Sequence, residues 1–600
     1  MTLAPILLLA LMALSSMPAP TPSITPLYQP PVSTMGSEPR SGLSTEGFWS
    51  WQDYPYWVPR VEPEVYTPVE GFLAANFTGP VSFNFTTPTG EYSRIVLRLE
   101  LSLVSLVEDR PAVQYDRPIW VWVNGVPAFI GTTPQRFNST AFADVTHLYS
   151  LLVGGHNATI TVALPNWVIP RLGLTGAFNV TVKLLYYPGS KPSGLPDMIV
   201  PLMANSSNSP WPGLAAARIT TKKPVAWELS SLPSNTARAY LLMYVEGASY
   251  DEFWYAMMPT DRYFLFKSDG IPFAIAQPFA QMYTGSLNPL LWRPIPGVRT
   301  LSFEPILVDV TGMLPLLVGT HNITLEVFNG LNYWYVFPML LVYTEDGVMN
   351  HRLLSYQYTD PTRKESEVRL VGNATLYRLE SSVALAAVSS YDVVRVVGGT
   401  VYTDTFVTAS RMEMSLNVRH TYNDVWDNIT LRQEWIYRGI SLSLQFTDLY
   451  IWFRDMKSLT DINYGFLVYP EGDPAEATTE NPVPANFSLV STVDQTLIVN
   501  GYWPFTKTQR LTYTRAVADS VLNGTLNFIG PTAAIITGLT DRYGATTKTI
   551  ASEEYALFET AATPGYVSGL KRFSYSRTVS AYNEWPSYWI LGDVLKVLWL

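Results

Sequence analysis

The sequence predicts an all-β protein, with two homologous β-sandwich domains in tandem and a further β-rich region after them. Three observations carry this. Aromatic residues make up 13% of the 600-residue chain, with 36 Tyr and 18 Trp beside 46 Pro and 37 Gly, while charged residues reach only 15%. That mixture suits strands joined by turns rather than solvated helices. Several segments read as strands: Arg94–Val107 (RIVLRLELSLVSLV) alternates apolar and polar residues, and Ile119–Val123 (IWVWV) is a dense apolar run. Asn124-Gly125 follows that run, the dipeptide that a two-residue hairpin needs for positive φ at both central positions, and Pro127–Ile130 returns the chain.

The third observation is an internal repeat. Asp144–Val162 (DVTHLYSLLVGGHNATITV) and Asp309–Val327 (DVTGMLPLLVGTHNITLEV) are identical at 11 of 19 positions and lie 165 residues apart. That spacing is far too long for a solenoid unit. It predicts two sandwiches, over about 46–190 and 191–348, followed by 349–600 as one or two further β domains, with 473–484 (DPAEATTENPVP) as a loop. The repeated Asp-Val-Thr and Gly-His-Asn elements read as turn chemistry shared by two scaffolds; a chemical role for His156 or His321 is the alternative.

A chain of 600 residues exceeds one core, and at about 150 residues per domain it suggests three to four. The net charge of −10, with no basic block, excludes nucleic acid and an anionic membrane surface as partners. Cysteine is absent, which excludes disulfides, thiolate ligation and a cysteine nucleophile. The five histidines show no metal-ligand spacing. Residues 2–14 form a short apolar run before small residues and Pro, so 1–19 reads as a secretory signal, an uncleaved membrane tether being the alternative. Residues 20–45 are a Pro/Ser/Thr-rich leader. Eleven N-x-[ST] sequons, at Asn76, Asn84, Asn138, Asn157, Asn179, Asn205, Asn322, Asn373, Asn428, Asn486 and Asn523, fit an exported glycoprotein.

Two acidic motifs are candidates for chemistry. In Gln114-Tyr115-Asp116-Arg117-Pro118, an extended strand puts Asp116, Trp120 and Trp122 on one face. An acid beside ring faces suits a sugar; equally, the two indoles are core and Asp116-Arg117 is an edge ion pair. In Asp251-Glu252-Phe253-Trp254-Tyr255, adjacent carboxylates among aromatics would have raised pKa values, which suits proton donation near neutral pH; a solvated strand end is the other reading. Trp292-Arg293 and Trp334 are further groove-lining candidates, or core aromatics.

QYDRPIWVWVNGVP, FADVTHLYSLL, DEFWY, LLWRPIPG and PILVDVTGMLPLL, occurring in that order and followed by Trp334-Tyr335, resemble the peptide-N-glycosidase A family over about 45–345. The resemblance implies two jelly-roll-like β-sandwiches side by side, with an Asp-Arg pair on a strand of the first near acids at the domain interface. It thereby points to Asp116 and Arg117, with Glu252 and Asp251 as second-domain acids, and to Trp120, Trp122, Trp254, Tyr255, Trp292, Arg293 and Trp334 as substrate contacts. Two departures stand out: plant members contain cysteine, and DEFWY continues as AMMP here instead of a Ser-Asn-Pro-type stretch.

The implied reaction is hydrolysis of the glycosyl-asparagine amide of N-glycosylated peptides or proteins, with neither metal nor cofactor. Asp116 would move the proton of water, Arg117 would orient the carbonyl, and Glu252 assisted by Asp251 would be the second acid. The acidic pI of about 5.2 suits an acidic extracellular medium. Two other readings remain: a secreted glycan-binding or surface-layer sandwich protein without catalysis, and a true glycosidase. Convergence of Asp116 and Glu252 in one cleft separates the first of these from an amidase.

Overall fold

The computed structural model describes residues 50–52, 61–133, 138–192, 195–203, 209–252, 262–276, 278, 287–288, 293–294, 301–303, 305–369, 374–395, 400–422, 429–445, 450–473, 476–503, 508–530, 533–538, 546–560, 567–582 and 589–599. Strands dominate throughout, and the fold is an all-β assembly of sandwiches.

The first sandwich contains β1 (Ser50–Gln52), β2 (Glu64–Ala74), β3 (Val81–Thr86), β4 (Tyr92–Ser105), β5 (Pro118–Val123), β6 (Val126–Thr132), β7 (Asn138–Asp144), β8 (Asn157–Ala163) and β9 (Gly176–Pro188). One sheet has the order β1-β7-β4-β9-β2 and the other β3-β8-β5-β6. On β4 the alternation seen in the sequence becomes burial of Leu97, Leu99, Leu101 and Leu103. The β5–β6 hairpin turns at Asn124 (φ 47°) and Gly125 (φ 79°), as the dipeptide predicts.

The second sandwich contains β10 (Met198–Pro201), β11 (Ala217–Ile219), β12 (Val225–Leu232), β13 (Thr236–Ala248), β14 (Tyr263–Ser268), β15 (Ile271–Ala276), the short pair β16 (Leu287–Asn288) and β17 (Arg293–Pro294), then β18 (Ile306–Asp309), β19 (Gly319–Phe328) and β20 (Tyr333–Thr344). Its sheets have the orders β10-β20-β13-β18, with β11 also on β20, and β12-β19-β14-β15. Strand for strand this repeats β2-β9-β4-β7 and β3-β8-β5-β6. The repeated Asp-Val-Thr does the same work twice. Asp144 Oδ1 accepts the Thr146 N–H at 3.0 Å, and Asp309 Oδ1 accepts that of Thr311 at 2.8 Å. Each Thr hydroxyl then meets the central strand, at Ile95 in one copy and Ala239 in the other. The duplicated sequence is therefore a corner that pins a turn to the middle of its sheet.

The sandwiches share an interface. The even-numbered side chains Tyr240, Leu242 and Tyr244 of β13, with Phe337, Met339 and Leu341 of β20, join the core of the first sandwich. The opposite face of the same strands, with Leu241, Met243, Val336 and Leu340, builds the core of the second. A sheet covered on both faces needs apolar residues at consecutive positions, which is why these strands read as unbroken apolar runs. After Val348 the chain forms one antiparallel sheet of eleven strands, from β21 (Val348–Arg369) and β22 (Ala374–Arg395) to β31 (Trp589–Trp599). Val383, Leu385 and Ala387 of β22 enter the core of the second sandwich.

Candidate active site

Asp116 and Arg117 precede β5, where the chain enters the domain interface. Pro118 starts the strand, and the Arg117 backbone is pinned: its N–H donates to Thr133 Oγ1 at 2.9 Å and its carbonyl accepts the Thr133 N–H at 2.8 Å. Gln114, two residues before Asp116, is fully buried and uses its whole bonding capacity. Its Nε2 donates to the carbonyls of Trp167 and Gly176, both at 3.0 Å. Its Oε1 accepts the Tyr115 N–H at 3.0 Å and Arg117 Nη2 at 2.9 Å. The Arg117 guanidinium lies 5.8 Å from the Tyr115 ring and 5.9 Å from that of Trp167. Burial pushes the Asp116 carboxyl up to about 6, with its own backbone amide and the charge of Arg117 acting in the opposite sense.

The second acid comes from the other sandwich. β13 ends in a 3₁₀ turn, Ser249–Asp251, entered through Ser249 at φ 58°. Glu252 caps this turn by donating its N–H to the Ser249 carbonyl at 3.1 Å. Its carboxyl is pushed up to about 7, by burial first and then by the charge of Asp116. Residues 136 positions apart in sequence are thus brought within electrostatic reach of one another across the interface.

Asp251 takes a different place from its neighbour. It is fully buried; Oδ1 accepts Arg262 Nε at 3.0 Å and Nη2 at 2.9 Å, and Oδ2 accepts the Asn332 backbone N–H at 2.6 Å. These partners commit both oxygens to holding the turn. The sequence reading had Asp251 assist Glu252 as an acid; in the fold its oxygens hold the turn that immediately precedes Glu252.

A third carboxyl, Glu246, escaped the sequence reading. It interrupts an apolar run on β13 (Tyr240–Val245, YLLMYV) and is only 5% exposed. Trp120 Nε1 donates to its Oε2 at 2.6 Å. Burial pushes Glu246 up to about 8; the Trp120 donor opposes this and the charge of Glu252 adds to it. Arg218, Tyr335 and Glu246 are successive neighbours across β11, β20 and β13. Arg218 lies 4.0 Å from the Tyr333 ring.

The aromatic candidates divide. Trp120 and Trp122 do share a face, but that face is the domain interface, and their exposures are 1% and 0%. Trp120 packs on Trp211, Tyr335 and Phe337, and Trp122 donates its indole N–H to the Ala215 carbonyl at 3.2 Å. Trp334 is on the opposite face of β20, packed edge-on against Phe264 in the second core. None of the three offers a ring face to a sugar, because a second sheet covers each one. Trp254, Tyr255 and Trp292, and the side chain of Arg293, lie outside the described residues. Among the described residues no cluster of three or more His, Cys, Asp or Glu is arranged to hold a metal ion, and no helix is long and apolar enough to cross a membrane.

Comparison with known proteins bears on this geometry. Residues 69–360 match the family model described as peptide N-acetyl-beta-D-glucosaminyl asparaginase amidase A. The chain is 28% identical over 294 residues to the peptide-N4-(N-acetyl-beta-glucosaminyl)asparagine amidase A of Prunus dulcis, covering 43% of this chain and 50% of that one. It therefore spans about half the length of the curated relative it matches. Among solved structures, PNGase F, a glycosylasparaginase from Flavobacterium meningosepticum, aligns with 15% identity and a TM-score of 0.32, over 47% of this chain and 96% of that one. PNGF-II aligns with 12% identity and a TM-score of 0.34, over 47% and 66%. The segment matched by the peptide N-acetyl-β-D-glucosaminyl asparaginase amidase A family model, residues 69–360, carries Asp116, Arg117, Glu246 and Glu252.

Proposed function

We propose that this protein hydrolyses the amide bond between an asparagine side chain and the first N-acetylglucosamine of an N-glycan, leaving aspartate and releasing the glycan as a glycosylamine. The observation that carries the reading is the coupling of Asp116 with Glu252 across the interface of the two sandwiches, within the segment that matches the amidase family. Two carboxyls whose environments push them to about 6 and about 7 divide the work of an acid and a base. Between those values Asp116 is ionised and takes a proton from the attacking water. Glu252 is still protonated and delivers a proton to the departing nitrogen. Arg117 faces the developing oxyanion as a fixed cation. Glu246, neutral below about 8, adds no negative charge beside Glu252.

We read each sandwich as a jelly roll, from the repeated eight-strand order of two interleaved sheets. We read the protein as exported, since the apolar run at 2–14 is followed by many sequons, and Asn76, Asn84, Asn157 and Asn322 are exposed. Incubation of a purified N-glycopeptide, followed by mass spectrometry, tests the activity. Conversion of Asn to Asp, lost in Asp116→Asn, is the expected result. Release of the glycan with Asn intact would overturn the amidase in favour of a glycosidase, and binding without cleavage would make the protein a lectin.

A further inference from the structure

A row of side chains runs outward from Glu246 across the second sandwich. Tyr335 is paired with Glu246 on one side and with Arg218 on the other, so the three share one face of the sheet. At the usual strand spacing, the Arg218 backbone stands about 10 Å from that of Glu246. Burial falls along the row: Glu246 is buried, Tyr335 half-buried and Arg218 exposed. The Arg218 guanidinium lies over the Tyr333 ring, 4.0 Å from its centroid, which covers one face of the guanidinium and leaves its N–H fork open. β11 then runs into the Thr220–Lys223 turn, where Lys222 and Lys223 are exposed. Thr221 Oγ1 in this turn donates to the Gly330 carbonyl at 3.4 Å, and Asn332, two residues on, donates its N–H to Asp251. The turn is thereby joined to the segment that precedes Glu252. Among the described residues, none of Arg218, Lys222 and Lys223 pairs with a carboxylate, in a chain of net charge −10.

We propose that Arg218, Lys222 and Lys223 form an anion subsite on the second sandwich, which takes a carboxylate of the substrate lying about 10 Å beyond Glu246. This rests on the amidase reading and deepens it. The carboxylate is carried either on the peptide beside the glycosylated asparagine or on an outer sugar of the glycan. A guanidinium held against a ring presents two N–H groups to two oxygens at once, and the lysines add point charges beside it. Three cations suit one acidic group, not the run of phosphates in a nucleic acid. The subsite makes acidic glycopeptides the preferred substrates, since the cations both steer and hold them.

The test uses the full chain and synthetic N-glycopeptides in two matched pairs. One pair carries glutamate or glutamine beside the sequon; the other carries a glycan with or without a terminal carboxylated sugar. The wild type should favour the acidic member of at least one pair about tenfold, in KM and in affinity by calorimetry. That preference should shrink as salt is raised from about 0.05 M to about 0.5 M. The pair that shows it identifies the peptide or the glycan as the source of the carboxylate. In Arg218→Gln the acidic-to-neutral ratio should fall toward one, and Arg218→Lys should restore part of it. The Lys222→Gln, Lys223→Gln double variant, altered only in an exposed turn, should lower the ratio to an intermediate value. A ratio taken within one variant is insensitive to any loss of folded protein. No preference in either pair, or a preference that survives Arg218→Gln, would overturn the subsite, and conversion of Asn to Asp would then leave the amidase standing. Tighter binding of an acidic member without cleavage, lost in Arg218→Gln, would support the subsite while removing the amidase.

Discussion

The Trp120 indole donates to Glu246 Oε2 at 2.6 Å, tying a strand of the first sandwich to a buried carboxyl of the second. This bond has a measurable pH signature. An unfolded glutamate titrates near 4.5, whereas Glu246 in the fold is pushed up to about 8. Between those values the folded state holds the proton more tightly than the unfolded state, so stability falls as pH rises from 4.5 through 8. Glu246→Gln keeps a neutral acceptor for Trp120 and removes the titration. The variant should gain on the wild type progressively across that window, by about 4–5 kcal/mol at the alkaline end. Paired denaturant titrations at pH 5 and pH 8.5 check this; a stability difference that does not change with pH would show that Glu246 is not held protonated.

The acid–base pair predicts a bell-shaped profile. Loss of kcat/KM below about 6 follows protonation of Asp116, and loss above about 7 follows ionisation of Glu252. Glu252→Gln should lower kcat by about 10²–10⁴ and abolish the alkaline limb. In Asp116→Asn the second cause of the elevated Glu252 value is gone, so that carboxyl should titrate lower, as carboxyl-selective NMR would record. A profile rising through pH 8 would remove Glu252 from the acid's role.

How far the sequence revealed this site depends on what each residue touches. Strand class, the Asn124-Gly125 hairpin and the duplication are local patterns, and a chain shows them directly. The parity of Asp116, Trp120 and Trp122 was legible for the same reason. The exposure of the two indoles was not, because a side chain on the outer face of one sheet becomes core only when a second domain lies over it. Glu246 was hidden by the same cause: its partner Trp120 is 126 residues away, and a lone glutamate in an apolar strand carries no local mark. Its one signal was the interruption of YLLMYV by a carboxylate, which in a doubly covered strand demands a buried donor. Adjacent Asp251 and Glu252 look alike as letters, and a single 3₁₀ turn sends one to Arg262 and the other to the interface.

The Asp251–Arg262 pair gives a stability prediction. Both side chains are 0% exposed, so removing Arg262 leaves Asp251 buried without that counter-charge. Arg262→Met should cost about 3–5 kcal/mol. Adding Asp251→Leu should restore part of the loss, since an apolar pair avoids desolvation altogether. The double variant should nonetheless stay impaired in catalysis, because the Asn332 N–H loses its acceptor and the turn before Glu252 loosens. Thermal melts beside kcat measurements separate the two effects. Full recovery of kcat in the double variant would show that Asp251 does nothing for Glu252.

Gly247 offers a way to move Glu252 while keeping every charged group. A Cβ at this position would lie 2.2 Å from the Asp251 carbonyl oxygen and 3.2 Å from the Trp334 ring. Backbone cannot yield to that approach as a flexible side chain would, so Gly247→Ala must push the Ser249–Asp251 turn away from β13. Glu252 follows the turn directly, and a displacement of about 1 Å at a catalytic group costs on the order of a hundredfold in rate. We expect kcat to fall by about that factor in Gly247→Ala. The alkaline limb should also move below about 7, because a Glu252 shifted toward solvent loses the burial that is the first cause of its elevation. Gly270→Ala is the comparison variant, a turn glycine at φ 84° with open space around its Cβ position and no contact with the acids. It should cost some stability through its backbone conformation but leave the pH profile unmoved. Equal profiles for the two alanine variants would mean that the turn does not set the position of Glu252.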